Sequence, residues 1–239
     1  MKKFAELSVF FPAYNEEGNI ANTVSSALKV LSNIVTKYEV IIIDDGSKDK
    51  TGKIADKLAK ENKYVRVIHH NPNRGYGEAL KSGFYNARYD WVAFTDADGQ
   101  FDFSEISKLI AKSDNTDLVV GYRMDRRDSF MRKLNGWGWT QLNNLLLGVK
   151  VKDVDCAFKL IRKEVIQKIP RLESTRGGMI SPELLAKARK CHFRIAEVGV
   201  HHYPRRTGKQ TGANIKVIIK SFVDLFKLSN KMRGLVYNK

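Results

Sequence analysis

The segment 91–100, WVAFTDADGQ, joins a short apolar run to a run of acidic, glycine and amide residues. An earlier segment, 40–47, VIIIDDGS, has the same arrangement. Nearly continuous runs of β-branched and aromatic residues are typical of strands that are buried on both faces of a sheet. The two segments therefore predict strands that place carboxylates at one edge of a buried sheet.

The same alternation extends through the first 122 residues. Further apolar runs occupy 7–11, 65–68 and 118–120, and helical spacing of apolar residues occupies 20–31, 52–61, 77–87 and 103–112. Strands that alternate with helices predict right-handed crossovers and a mostly parallel sheet. In such a sheet the ligand site lies beyond the carboxyl ends of the strands. The fold class is therefore α/β and Rossmann-like, with helices flanking the sheet.

The second half of the chain is less regular. Its pattern predicts strands at 157–161 and 195–200, a helix at 182–190, and amphipathic helices at 129–147 and about 214–235. The last of these is apolar along one side and flanked by lysines, so it suits either a membrane interface or packing against the core. Neither an internal repeat nor a linker is visible, which favours one continuous domain.

The distribution of charge indicates an anionic partner. The 239 residues carry a net charge of +16, but residues 1–122 carry −1 and residues 123–239 carry +17. Nucleic acid, an anionic membrane surface and a phosphorylated substrate would each fit this asymmetry. The two cysteines, Cys156 and Cys191, form no disulfide framework. With no apolar run long enough to span a bilayer, the sequence predicts a cytoplasmic protein without a transmembrane segment.

Two motifs suggest chemistry. Asp96 and Asp98 are separated by one residue after a predicted strand, and Mg²⁺ is typically held by one or two carboxylates together with substrate phosphates. The segment 73–77, NRGYG, has glycines that permit close backbone approach, and Arg74 or the following helix N-terminus could face a phosphate. Neither the dinucleotide-binding fingerprint nor the Walker motif is present.

Several segments together resemble glycosyltransferase family 2. They are FPAYNE at 11–16, DDGS at 44–47, NRG at 73–75, DADGQ at 96–100 and DVDCAFKL at 153–160. The late segments ELL at 183–185 and HYPRRTGK at 202–209 resemble the branch with dolichol-phosphate mannosyltransferase and other polyprenyl-phosphate glycosyltransferases. The resemblance extends over about residues 7–212.

The resemblance implies an inverting transferase of the GT-A fold that uses a nucleotide-diphosphate sugar, with UDP or GDP, and Mg²⁺ or Mn²⁺. It divides the chain into a catalytic domain at 1–212 and a basic amphipathic helix at 213–239. Within the domain, 1–122 would bind the nucleotide sugar and 123–212 the acceptor. The implied reaction moves a hexose to a polyprenyl or dolichyl phosphate at the cytoplasmic membrane surface.

The resemblance also implies roles for individual residues. The nucleotide-sugar pocket would comprise Pro12, Tyr14, Glu16, Asp44, Asp45, Arg74 and Asp96. The metal would be held by Asp96, Asp98 and Gln100. The acceptor phosphate would be bound by Arg123, Arg132 and Arg206. The residues expected to act in catalysis are Asp98, Arg206, Asp153 and Glu183.

Two hypotheses for the enzymatic reaction differ in the acceptor, which is either a sugar hydroxyl or a phosphate monoester. A sugar hydroxyl needs a carboxylate base, which Asp153, Asp155 or Glu183 would supply. A phosphate monoester is largely ionised at pH 7 and needs cations rather than a base. The basic second half favours polyprenyl phosphate, with a saccharide hydroxyl of a surface glycan as the alternative. Nucleic-acid binding is not favoured, because no motif of that class is present.

Overall fold

A computed structural model describes residues 3–125, 130–175, 177–205 and 215–234. Its strands are β1 (Phe4–Ala13), β2 (Val35–Asp44), β3 (Val65–His69), β4 (Trp91–Phe94), β5 (Leu118–Met124), β6 (Lys159–Arg162) and β7 (Ile195–His201). Its α-helices are α1 (Ile20–Ile34), α2 (Thr51–Glu61), α3 (Tyr76–Asn86), α4 (Ile106–Ile110), α5 (Phe130–Leu147), α6 (Lys163–Lys168), α7 (Ile180–Lys190) and α8 (Ile215–Gly234). Single 3₁₀ turns occupy Phe103–Glu105 and Gly177–Met179.

The strands form one seven-stranded sheet in the order β3-β2-β1-β4-β6-β5-β7. Strands β1 to β4 are mutually parallel, and β5 is parallel to β7. Strand β6 is antiparallel to both of its neighbours, β4 and β5. The sheet is therefore mostly parallel, as the sequence predicts, and the carboxyl ends of β1, β2, β4 and β5 share one edge.

The apolar side chains of β1 divide between the two faces of the sheet because successive residues of a strand point to opposite sides. Phe10 belongs to the core on one face, whereas Val9 and Phe11 belong to the core on the other. The Phe10 ring stacks on Phe94 at 5.2 Å and meets the edge of Phe84 at 5.1 Å. Burial on both faces explains why the parallel strands read as continuous apolar runs.

One predicted element differs from the structure in more than a shift of its ends. The helix predicted at 103–112 is a 3₁₀ turn followed by the short α4, and its start is fixed by Asp102, whose carboxylate accepts a hydrogen bond from Ser104 N. Strand β6 begins at Lys159 rather than at Ala157. The other predicted elements are present with shifted ends.

Helices α5 and α8 pack against each other and carry an exposed apolar surface. The Trp139 ring meets the edge of Phe222 at 5.3 Å, and Ser229 Oγ donates to Leu146 O at 3.0 Å. On the outer side, Trp137 is 60% exposed and Phe226 is 52% exposed. Within the described ranges, no helix is long and apolar enough to cross a membrane.

Candidate active site

A cavity of about 230 Å³ lies at the edge of the sheet where β4 and β5 end. Its lining residues are Asp96, Asp98, Gln100, Phe101, Arg123, Arg132, Asp155, Ala157, His202 and Arg205. The predicted metal ligands and two of the three predicted phosphate-binding arginines are therefore brought together. The lining is mainly polar, and its charged members are three carboxylates and three arginines.

Asp96 and Asp98 follow β4 in a tight turn, and Gln100 N donates to Asp98 Oδ1 at 3.1 Å. Burial and the neighbouring charge of Asp98 raise the pKa of Asp96 to about 7. Burial also raises the pKa of Asp98, against the opposing effects of the Gln100 N–H and of Arg205. The site therefore holds two carboxylates whose negative charges are incompletely compensated by the protein.

Tyr76, which the sequence analysis does not assign to the site, orients one of these carboxylates. It begins α3, and its hydroxyl donates to Asp96 Oδ1 at 2.8 Å. Burial and the charge of Asp96 raise the pKa of Tyr76 well above its usual value, so the phenol stays protonated and remains a donor. In the sequence, a role for Tyr76 in the site is indicated only by its position between the two glycines of the segment 73–77.

Gln100 joins the acidic turn to the segment that follows β7. Its Nε2 donates to Tyr203 O at 3.0 Å, and Tyr203 N donates to Gln100 O at 2.8 Å. Because the amide nitrogen is used in this way, only Oε1 of Gln100 is left as a potential metal ligand. The two bonds fix the segment that carries His202 and Arg205 into the cavity wall.

Arg205 contacts both acidic parts of the site. Its Nη2 donates to Glu16 Oε1, and its Nη1 lies 3.8 Å from Asp98 Oδ2. Arg206, predicted to bind phosphate and to act in catalysis, lies outside the described residues. The sequence offered two adjacent arginines, and spacing alone could not show that Arg205 faces the carboxylates.

The residues predicted for the nucleoside pocket surround the ends of β1 and β2. Pro12 belongs to β1, and beyond it Tyr14 is 40% exposed. Glu16 is buried, and burial raises its pKa against the hydrogen bonds of Asn19 and Arg205. The side chain of Arg74 is exposed, whereas its backbone N–H donates to Asp45.

Asp44 and Asp45 are largely occupied by contacts within the protein. Asp45 accepts hydrogen bonds from the backbone of Arg74 and Gly75 and from Asn73, and it also contacts His70. Asp44 accepts from Ser47 N at 3.1 Å and lies 2.9 Å from His69 Nδ1. Of these two predicted pocket residues, Asp44 therefore has fewer hydrogen bonds within the protein than Asp45, whose two oxygens both accept from the segment before α3.

Arg123, a partly buried residue of the cavity lining, forms an ion pair with the buried Asp153. Arg123 Nε and Nη2 lie 2.7 and 2.8 Å from the two oxygens of Asp153, and Arg123 N donates to Oδ2 at 3.2 Å. Burial disfavours the charged guanidinium, but the hydrogen bonds and charge of Asp153 outweigh it and raise the pKa of Arg123. Both Asp153 oxygens are engaged by a permanent cation, which argues against the predicted role of Asp153 as a base.

Glu183 is not brought to the cavity, and its predicted catalytic role is not supported by its position. Its carboxylate accepts from Lys187 Nζ at 2.6 Å and from the backbone N–H groups of Glu173 and Ser174 at 2.8 Å each. Burial would raise its pKa, but these hydrogen bonds lower it below the usual value. The residue ties α7 to the segment before Arg176.

Asp155 is the third carboxylate of the cavity. Trp139 Nε1 donates to Asp155 Oδ1 at 3.3 Å. The side chain reaches solvent through the cavity, yet the surrounding protein limits its hydration and, with the charge of Asp153, raises its pKa. Of the three carboxylates suggested as alternative bases, Asp155 lines this cavity, whereas Asp153 and Glu183 do not.

The donor set fits a hard divalent cation only in part. Across the described ranges, no three His, Cys, Asp or Glu side chains are arranged to hold a metal ion by themselves. Asp96 and Asp98 supply carboxylate oxygens in an anionic, partly buried turn, and that chemistry suits Mg²⁺ or Mn²⁺ when further oxygens come from a phosphorylated ligand. The pair is therefore compatible with a cation that is shared between protein and substrate.

Comparison with known protein families and sequences gives a consistent result. The family model described as glycosyl transferase family 2 matches residues 8–170. A dolichyl-phosphate beta-glucosyltransferase of Dictyostelium discoideum is 34% identical over 215 residues, which cover 82% of this chain and 65% of that protein. An undecaprenyl-phosphate 4-deoxy-4-formamido-L-arabinose transferase of Shewanella sediminis is 32% identical, over 85% of this chain and 60% of its own length. The chain thus spans somewhat less than two thirds of these relatives.

Solved structures share the fold. Glucosyl-3-phosphoglycerate synthase from Mycobacterium tuberculosis in complex with UDP superposes with a TM-score of 0.73 at 19% identity, covering 94% of this chain and 80% of that one. The same protein with Mn²⁺, UDP-glucose and phosphoglyceric acid gives a TM-score of 0.73 at 20% identity, over 94% and 80% of the two chains. At this level of identity the likeness concerns the arrangement of the sheet and its helices.

Proposed function

The chain belongs to glycosyl transferase family 2, and on that premise we propose that it moves a hexose from a nucleotide-diphosphate sugar to a polyprenyl phosphate. The observation that carries the proposal is the meeting of an acidic turn, Asp96 and Asp98, with Arg123 and Arg132 in one cavity. The first pair suits a metal-bound diphosphate donor. The arginines suit a second, anionic substrate.

At the acidic end, Asp96 and Asp98 would hold Mg²⁺ or Mn²⁺, with Oε1 of Gln100 as a further candidate ligand. The bound cation would stabilise the negative charge that develops on the diphosphate leaving group. The protein's own part is to orient these ligands: Tyr76 fixes Asp96, and the Gln100 N–H fixes Asp98. Arg205, placed beside Asp98, adds a positive charge at the same end.

At the basic end, the acceptor would be a phosphate that is already ionised and needs no general base. Arg123 keeps a fixed orientation through Asp153, while Arg132 on α5 is exposed at the cavity wall. Guanidinium groups bind phosphate oxygens through paired N–H donors, which gives both affinity and direction. A saccharide hydroxyl acceptor would instead require Asp155 as a base.

Helix α5 carries both a residue of the cavity lining and exposed apolar side chains that suit contact with a lipid surface. The helix that brings Arg132 to the cavity also exposes Phe130, Met131 and Trp137, and α8 adds Phe226 beside lysines. Apolar residues flanked by cations suit the interface of an anionic membrane. Both cysteines are free thiols, which fits a reducing compartment. We therefore place the reaction at the cytoplasmic face of a membrane.

A donor screen tests the proposal. The purified chain is incubated with Mn²⁺, polyprenyl phosphate in detergent and each UDP- or GDP-sugar in turn, and both nucleoside diphosphate and glycolipid are measured. Asp98→Asn is expected to lower transfer by roughly 10²-fold or more. Asp102→Asn, which alters an exposed carboxylate nearby in the sequence, is the control. Transfer to free oligosaccharide but not to polyprenyl phosphate would favour the saccharide alternative.

A further inference from the structure

Lys159 is fully buried although a charged ammonium group is costly to remove from water. It is the first residue of β6, where it pairs with Phe94 of β4 and with Val120 of β5. Strand β4 leads to Asp96, and strand β5 contains Arg123. Lys159 therefore lies in the sheet between the two strands that deliver acidic and basic groups to the cavity.

Uncharged acceptors hold the ammonium group. Lys159 Nζ donates to the carbonyl oxygen of Cys156 and to Ser181 Oγ at 3.2 Å, and it lies 5.6 Å from the centroid of the Phe94 ring. In the part of the chain that the structure describes, it forms no ion pair. Burial lowers its pKa, while the negative charges of Asp153, Asp155 and Asp96 act in the opposite direction.

An apolar side chain of similar length could fill the same space, and replacing a buried ionic group by a hydrophobic one is often neutral or stabilising. Core packing alone therefore does not explain a cation here. What distinguishes Lys159 is the carbonyl that it holds. Cys156 directly follows Asp155, which lines the cavity, and closely follows Asp153, which holds Arg123.

We propose that Lys159 is a positioning residue of the candidate active site: its ammonium group anchors residues 153–156 from beneath the cavity. This anchor fixes Asp155 at the cavity wall and keeps Asp153 in register with Arg123. The catalytic consequence rests on the proposed transferase function, whereas the anchoring of the segment does not.

The test combines hydrogen exchange with kinetics on the full chain. In Lys159→Met, backbone amides of residues 151–158 are expected to exchange about tenfold faster or more, because a bond to a charged donor is lost and the segment opens locally. The kcat for transfer is expected to fall by at least about tenfold, since displacements near 1 Å can cost roughly 10²-fold. The KM for the donor should stay near its original value.

Ile161→Ala provides a matched control on the same strand and the same face of the sheet, because Ile161 is fully buried and absent from the cavity lining. It should lower thermal stability without selective exchange at 151–158 and without a change in kcat. Equal exchange and kcat effects in both variants would overturn the inference. So would unchanged exchange in Lys159→Met, even if kcat fell.

Ser181→Ala decides the question if Lys159→Met does not fold, because it keeps the ammonium group and removes one of its two partners. The expected result is a rise of about two- to fivefold in exchange at 151–158, with a parallel fall in kcat. No change in either quantity would overturn the inference. If the unaltered chain shows no transfer, the proposed function fails, whereas the exchange data still test the anchor.

Discussion

Arg123 and Asp153 meet through two parallel hydrogen bonds, of 2.7 Å from Nε to Oδ2 and 2.8 Å from Nη2 to Oδ1. Asp153, which the sequence suggests as a base, therefore holds the guanidinium group of Arg123 in place. It also restricts the rotation of the guanidinium plane, so that any remaining N–H groups of Arg123 have a defined direction. Phosphate recognition at this wall should therefore depend on the guanidinium shape and not on charge alone.

Replacing Arg123 by lysine tests that dependence. Arg123→Lys keeps the charge but loses the two-point contact, so the KM for polyprenyl phosphate is expected to rise by about tenfold or more. The KM for the nucleotide sugar should not change. Arg194→Lys is the control, because Arg194 contacts Asp117 in the same two-point manner, at 3.2 Å for each bond, on the exposed surface. Equal effects of both variants would contradict the assignment.

Tyr76→Phe removes the hydrogen bond to Asp96 and leaves the ring in place. Groups that orient a metal ligand typically change metal affinity by about 10- to 100-fold when they are removed. We expect a loss of that size in Mn²⁺ affinity, measured by calorimetric titration in the presence of nucleoside diphosphate. Tyr85→Phe, at the exposed end of the same helix, should bind Mn²⁺ as the unaltered chain does. Unchanged affinity in Tyr76→Phe would argue against Asp96 as a ligand.

The raised pKa of Asp96 predicts a pH dependence of stability in the metal-free protein. The pKa of the Asp96 carboxyl changes from an ordinary value of 3.8 to about 7 in the folded protein. The folded state therefore binds this proton more tightly than the unfolded state does. The resulting stabilisation is fully present below about pH 4 and is lost as the pH rises through about 7. The melting temperature should therefore fall between about pH 4 and pH 7, and fall less in Asp96→Asn.

Added Mn²⁺ should reverse that trend, because the cation binds the ionised carboxylate and its affinity grows as the proton leaves. The melting temperatures are best compared between the unaltered chain and Asp96→Asn in the same buffers, which cancels the titration of other groups. Identical slopes for the two proteins would contradict the assigned pKa.

Membrane association can be tested at the outer surface of α5 and α8. The double variant Trp137→Ser and Phe226→Ser should float poorly with anionic vesicles, because it removes two exposed apolar anchors. The unaltered chain should float with anionic vesicles and less with neutral ones, because lysines flank the apolar surface. Tyr85→Ser is the control, because it replaces an exposed aromatic residue on α3, away from this surface. Equal recovery of the unaltered chain with both vesicle types would favour ordinary packing.

Much of the fold could be predicted because its signals are local. The runs that end at Asp44 and Asp96 are continuous apolar strands followed by turns, and no distant contact is needed to recognise them. The acidic pair could be identified for the same reason. Helix α4 is shorter than the helix predicted at 103–112 because residues 103–105 form a 3₁₀ turn, and apolar spacing does not distinguish such a turn from an α-helix.

The contacts of Arg123 and Arg205 could not be predicted from local signals. Arg123 and Asp153 are 30 residues apart and meet only because β5 ends beside the segment before β6. Arg205 was not predicted because its place in the site depends on the direction of its side chain, which faces Glu16 and Asp98. For Glu183 the sequence does indicate a structural role. Lys187 lies four residues later on the same helix, and this spacing is typical of an ion pair.

The position of β6 between β4 and β5 has a consequence for how the polypeptide acquires its structure. In the sheet that the structure describes, β5 and β7 join β1 to β4 only through β6, and β6 is synthesised after β4 and β5. A nascent chain that ends before residue 159 would hold β5 without a neighbour, and β4 would have one open edge. We therefore expect that a functional chimera of two homologues must take β4, β5 and β6 from the same parent.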